Sequence, residues 1–203
     1  MDEAFADDVT PGDFFVDHLP ALFETWTEVY AGASDVELIV GMRMNGEHAG
    51  EWTLIFSDVE LEAEEGREAR PLVTLEGESE FWAPMRVELR RWLEIVESAR
   101  NKGQINRLPD AYRLTTKRLN NLERVKGYIN LTFREAPAGD VTARVYFNTF
   151  DEREGDGLNV SMLYADFLRA LRGEITFKEL GSDNRIDVSG DMGLPMKLMS
   201  AVV

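Results

Sequence analysis

The tightest constraint on this chain is a change of period within fifteen residues. Over residues 158–162, Leu158, Val160 and Met162 alternate with Asn159 and Ser161, the two-residue period of a strand with one buried face. From Tyr164 the period becomes helical. Phe167, Leu168 and Leu171 share one stripe of a helix expected over residues 164–172; Asp166 sits in its first turn, where the helix dipole favours an anion, and Gly173 stands where a left-handed cap is wanted. Residues 173–180 and the turn cluster Gly181, Ser182, Asp183, Asn184 read as a loop. A second short strand follows over residues 185–191, with Ile186 and Val188 alternating. Asp191 then caps a last helix over residues 192–202, where Pro195 is tolerable because first-turn amides have no intrahelical partner. That helix is apolar on most sides, with Lys197 almost its only charge.

Ser161-Met162, Tyr164-Ala165-Asp166-Phe167-Leu168, Arg172-Gly173-Glu174, Val188-Ser189-Gly190-Asp191-Met192 and Met196-Lys197-Leu198 together resemble the C-terminal part of a sterol carrier protein type 2 domain. The resemblance covers roughly a quarter of the chain closely and more of it loosely. It implies an α+β lipid-binding fold, in which a mostly antiparallel sheet is covered on one face by helices and the last helix closes an apolar tunnel. What the family binds varies, including sterols, fatty acids and acyl-CoA, so fold and ligand are separate questions.

At 203 residues the chain can form one large domain or two small ones, and 44% apolar with 30% charged residues is the balance of a soluble globular protein. Without cysteine there is no disulfide, thiolate metal site or cysteine nucleophile. The acidic first residues lack the positive charge and apolar run of a secretory signal, and no stretch is apolar enough to span a membrane, so a cytoplasmic protein is the expectation. Asn130-Leu131-Thr132 and Asn159-Val160-Ser161 match the glycosylation pattern but fall inside expected strands.

The net charge of −16 is unevenly spread. Residues 1–85 carry 21 acids against 3 bases, residues 86–126 carry 5 against 11, and residues 127–203 carry 12 against 8. The acidic first part would repel a phosphate backbone or anionic bilayer at long range, which counts against nucleic acid as a partner. An anionic headgroup would be welcome only in the basic middle.

Taken in order, Pro11-Gly12-Asp13 opens a helix with Asp13 as its expected cap, and Phe14, Phe15, Leu19, Leu22, Phe23, Trp26 and Tyr30 form its apolar face. Pro20 kinks or splits it. The resemblance would place such a helix before the first strand. His18 reads as a buried structural histidine and His48 as a solvated turn residue, since neither has a partner at metal spacing. Strands are expected over residues 36–44, 51–57 and 59–64, the first two joined by a turn over residues 45–50. Glu51-Trp52-Thr53-Leu54 after that turn resembles the second strand of the lipid-carrier family. A helical connector follows over residues 86–106, then a helix capped by Asp110 that continues through Tyr112, Leu114, Leu119, Leu122 and Val125 to Gly127. Its cations read as a solvated face more readily than as an anion site. A second meander spans residues 128–133 and 141–147.

An internal repeat links the halves. Ala49-Gly50-Glu51, Val73-Thr74-Leu75 and Glu80-Phe81 recur in order as Ala138-Gly139-Asp140, Val160-Ser161-Met162 and Asp166-Phe167. Residues 1–85 thus read as a degenerate half-repeat lacking a counterpart of residues 185–203, residues 86–126 as a helical insert, and residues 127–203 as the full unit, all within one globular body. Two antiparallel meanders that merely look alike are the competing explanation.

The sequence contains no phosphate loop, dinucleotide glycine pattern, nucleophile-elbow serine or paired histidines at metal spacing. Glu60, Glu62, Glu64 and Glu65 read as a wet strand face rather than an acid–base pair. No catalytic residue, cofactor or metal is therefore expected. As the resemblance to the lipid-carrier family implies, the expected fold is α+β and the expected function is that of a lipid carrier holding a sterol, fatty acid, acyl-CoA or similar apolar small molecule. It would not bind nucleic acid or insert stably in a membrane; a protein partner or homodimer stays open. The resemblance, more than the composition, implies a cavity, whose lining by fold position is Val160, Met162, Phe167, Leu171, Met192, Met196 and Met199, with Phe133, Val145 and Phe147 beneath; methionine thioethers suit an adaptable cavity. The alternative is an acidic interaction module whose interior is filled and whose surface carries an apolar patch.

Overall fold

The structure, a computed structural model, describes residues 3–25, 37–57, 60–66, 70–101, 115–137, 139–149, 155–172 and 174–202. Its frame is one eight-stranded sheet: β1 Leu38–Asn45, β2 Gly50–Phe56, β3 Leu61–Glu65, β4 Val73–Glu78, β5 Gly127–Ala136, β6 Gly139–Phe147, β7 Asp156–Leu163 and β8 Ile186–Gly190. They lie in the order β3-β2-β1-β4-β6-β5-β7-β8. The sheet is mixed. β1 has β2 antiparallel on one side and β4 parallel on the other, and β5 has β6 antiparallel and β7 parallel. β4 and β6 join the two groups antiparallel, with Leu75 beside Val145, while β3 and β8 are the outer strands.

Strand alternation gives this sheet two unlike faces. Trp52, Met42, Leu75, Val145, Ile129 and Leu158 are successive partners across the register and mark the apolar face. One position along, Glu51, Arg43, Glu76, Arg144, Asn130 and Asn159 mark the polar face. There Arg43 Nε and Nη1 reach Glu51 and Glu76 at 2.6 and 2.7 Å, Arg144 reaches the other Glu76 oxygen at 3.3 Å, and Asn130 donates to Asn159 at 2.9 Å. Alternating sign across neighbouring strands favours this register over a slipped one.

Helices cover the apolar face. The first is continuous but irregular: α1 Pro11–Asp13 passes into a π-helical stretch, Phe14–His18, and then into α2 Leu19–Glu24, with Pro20 in the first turn of α2. The helix is thus not split at Pro20; its irregularity is the π-helical stretch just before, and Pro20 sits in the first turn of α2. Thr10, not Asp13, is the cap: its hydroxyl accepts from the Asp13 amide, and the Asp13 carboxylate returns to the Thr10 amide, a reciprocal capping box. Phe5, Phe14, Phe15 and Leu22 pack with Trp52, Leu54, Leu61 and Trp82 into the first core cluster, where Phe14 sits 5.1 Å from Trp82 and Phe15 5.3 Å from Trp52. His18 is half-buried and His48 exposed.

After β4, a 3-10 turn, Ser79–Phe81, leads into α3 Trp82–Asn101, which starts four residues earlier than the sequence pattern suggests. The expected cap Asp110, with Tyr112 and Leu114, lies outside the described residues. The described helix there is α4 Thr116–Leu122, capped by the Thr115 hydroxyl accepting from the Arg118 amide. α5 Tyr164–Leu171 follows β7 directly. The loop expected over residues 173–184 holds a short helix instead, α6 Phe177–Ser182, opened by a second capping box between Thr176 and Glu179. α7 Gly193–Val202 closes the chain, the Asp191 carboxylate accepting from the Gly193 amide at 2.6 Å. Gly190 before it has φ +103°, and a Cβ there would fall 2.4 Å from the Gly157 carbonyl oxygen, so only glycine fits where the chain leaves the sheet for α7. Among the described residues no helix is long and apolar enough to cross a membrane.

Candidate functional site

The second half of the sheet supplies a floor. On β5 and β7 the partners Leu131 and Val160, then Phe133 and Met162, lie side by side, and β8 adds Val188 beside Val160 and Ile186 beside Met162. Phe133 and Met162 are almost fully covered. The cover is aromatic: Phe133 stacks on Phe81 at 5.5 Å between ring centres and on Phe167 of α5 at 4.3 Å, with Tyr164 edge-on to Phe81 at 6.0 Å. Five side chains, Phe81, Phe133, Met162, Tyr164 and Phe167, therefore fill the space beneath α5. Three of the expected lining residues meet there, packed against one another.

Val160 has a different position. It is half-buried and packs against both this cluster and the next one, where Leu194, Leu198 and Ala201 of α7 rest on Leu158, Ile129, Phe147 and Val125. It thus marks the strip of sheet between α5 and α7. Phe147 belongs to the α7 side of that strip. Val145 is half-buried in the middle of the sheet, beside Leu75, which is itself 38% exposed. Leu171 lies at the end of α5, and its side chain is outside those described.

The methionines depart from expectation. Leu194, Leu198 and Ala201 recur at helical spacing and hold α7 to the sheet, whereas Met192, Met196 and Met199, each two residues ahead of one of them, are 58, 70 and 68% exposed. They do not line an enclosed cavity. Met196 instead borders an open groove of about 540 Å³ between α4 and α7, with Lys197 and Ser200 on its side and Asn121, Arg124 and Val125 opposite.

Charged side chains pin the walls. Asp166, 1% exposed, bonds Arg185 at the start of β8 and has Arg169 at 3.7 Å, so α5 and β8 share one buried carboxylate. Arg172 at the end of α5 makes a two-pronged bond to Glu88 of α3. Burial pushes the Tyr164 hydroxyl above its ordinary range and the Glu88 carboxylate pushes it further, with Arg172 opposing. Among the described residues no group of three or more His, Asp or Glu is placed to hold a metal ion. The arrangement offers an apolar strip with rigid ionic walls. Phe81, Tyr164, Leu194 and Leu198 were missing from the expected site. For the last two the signal was available, since Leu194, Leu198 and Ala201 stand at i, i+4 and i+7.

No family model matches the chain, and no curated protein matches it. Among solved structures, the chain is similar to the solution structure of the sterol carrier protein domain 2 of Helicoverpa armigera, at 22% identity over 41% of this chain and 71% of that one, with a TM-score of 0.32.

Proposed function

We propose that this chain binds an apolar small molecule, such as a fatty acyl chain or a sterol, on the strip between α5 and α7, and that α7 is its cover. The observation that carries this reading is the position of Val160: an apolar floor residue, incompletely covered, shared by two packed clusters whose helices rest on either side of it. A ligand lying there would touch Val160, Val188 and Leu198 and would displace little of the aromatic packing. The exposed Met192, Met196 and Met199 then belong to the outer side of the cover and touch a ligand only when α7 lifts. The role proposed is binding, with no chemical step. The repeat expected from the sequence is supported by the matched order of strands, since β1, β2, β4 and a helix are followed later by β5, β6, β7 and a helix. A second reading, an acidic protein-interaction module, is supported by the close ring packing of Phe81, Phe133 and Phe167 beneath α5.

Native mass spectrometry of the expressed protein, followed by solvent extraction, tests the choice. A near-stoichiometric lipid mass is expected, lost in Val160→Trp and weakened in Phe167→Arg, with the circular dichroism spectrum of each variant checked. A clean apo mass that persists after incubation with sterols, fatty acids and acyl-CoA would overturn the lipid reading in favour of the second.

A further inference from the structure

The outward side of α7 and the adjacent α4 bring exposed methionines together with cations. Met196 and Met199 lie on the side of α7 opposite the residues that hold it to the sheet, Met192 stands in the turn just before the helix, and all three are more than half exposed. The result is a convex ridge of unbranched, flexible apolar side chains. Beside it, Lys117 and Asn121 share a face of α4, and Arg124 and Lys197 stand on the two banks of the groove between the helices. Over residues 115–126 and 191–202 there are five cations and two acids, Glu123 and Asp191, in a chain of net charge −16.

We infer that this face is a docking surface for an anionic lipid bilayer. A concave protein partner would need to supply a matching pocket for each methionine. A headgroup layer needs none: it admits flexible apolar side chains to a shallow depth while its phosphates meet the flanking cations. Charge complementarity selects the same occupant and sets the orientation. The acidic first 85 residues, with 21 acids against 3 bases, are repelled by an anionic surface, so the molecule approaches with the α4–α7 face leading. A second copy of this chain is disfavoured as occupant, because pairing this face with itself would oppose cation to cation. The docking surface stands whether or not a ligand sits beneath α7. If one does, the helix that covers it is also the helix that meets the membrane.

Co-sedimentation of the full chain with vesicles tests this, comparing phosphatidylcholine alone with phosphatidylcholine containing about 30% phosphatidylglycerol. Binding to the anionic vesicles is expected to exceed binding to the neutral ones by about tenfold or more, and to be lost in about 0.5 M salt, where screening reaches only a few ångströms. The double variants Lys117→Glu with Arg124→Glu, and Met196→Ser with Met199→Ser, are each expected to weaken it by about tenfold. All four are surface or near-surface positions, and an unchanged circular dichroism spectrum separates loss of docking from loss of fold. Equal binding to both vesicles, no binding to either, or variants that bind like the parent would overturn the inference. A concentration-dependent dimer abolished by the methionine pair would also overturn it, assigning the face to a second copy. The lipid content read by native mass spectrometry is scored separately, so failure of docking and failure of ligand binding are distinguishable.

Discussion

Individual polar residues decide where this chain may bend. Asp166 shows this most clearly. A carboxylate that is 1% exposed is costly unless its charge is met, and Arg185 meets it from the first residue before β8. Removing the partner while keeping the acid is therefore worse than removing both. Arg185→Ala is expected to destabilise the fold by about 2–4 kcal/mol, whereas Asp166→Asn with Arg185→Met recovers part of that loss. Urea denaturation measures both, and a double variant no better than Arg185→Ala would refute the pairing argument. The capping carboxylates act at the surface. Bonds to Thr10 hold the Asp13 carboxyl below its ordinary range, and bonds to Thr176 do the same for Glu179. A carboxylate whose folded pKa is depressed contributes stability that is present above its unfolded pKa and is lost as pH falls through the folded value. Fraying at residues 10–13 and 176–179 is thus expected to begin only as pH drops below about 4, followed by amide resonances at those caps. Thr10→Ala and Thr176→Ala should weaken each cap already at neutral pH and flatten this pH dependence.

At the scale of elements, most of the described strands were legible because a sheet with one wet face writes itself into the sequence as alternation, whereas β4 Val73–Glu78 was not read as a strand. Residues 51–57, 128–133, 141–147 and 158–162 read correctly for that reason. What alternation cannot show is who pairs with whom. The parallel pairings of β1 with β4 and β5 with β7 depend on contacts distant in sequence, and nothing local in Val73–Glu78 points to β1 rather than β2. α6 escaped notice because its six residues are too few for a period to show, and the Thr176-x-x-Glu179 box was its only signal. α7 was found but turned the wrong way. A helix apolar on most sides gives no stripe to read, so the methionines looked as good a buried face as the leucines. The structure puts Leu194, 0% exposed, at the centre of its attachment. Leu194→Ala should therefore cost about 2–4 kcal/mol of docking energy for α7. If α7 is a separately opening cover, hydrogen exchange over residues 193–202 will accelerate while β5 to β7 stay protected. Uniform acceleration across the sheet would instead make α7 part of the global core.

For the whole molecule, the governing fact is an imbalance of charge over a single sheet. Sixteen surplus negative charges raise the energy of any compact state, and most of them belong to the residues around β1 to β4. The polar face answers locally by setting Arg43 between Glu51 and Glu76, and Arg144 beyond it, but these pairs cannot neutralise Glu62, Glu64 and Glu65 at the β3 edge. That acidic edge also discourages another chain from pairing with β3. Screening should then help the fold more than it harms the ion pairs, because repulsion among exposed charges is long-range while the pairs are close and partly buried. The melting temperature is expected to rise by several degrees between about 10 mM and about 0.5 M sodium chloride. The same salt should abolish vesicle docking, which depends on attraction across water. Opposite responses to one variable separate the two electrostatic roles: repulsion within the fold and attraction at its α4–α7 face. A melting temperature that falls with salt would mean that the cross-strand ion pairs, not the surplus charge, dominate the electrostatics of folding.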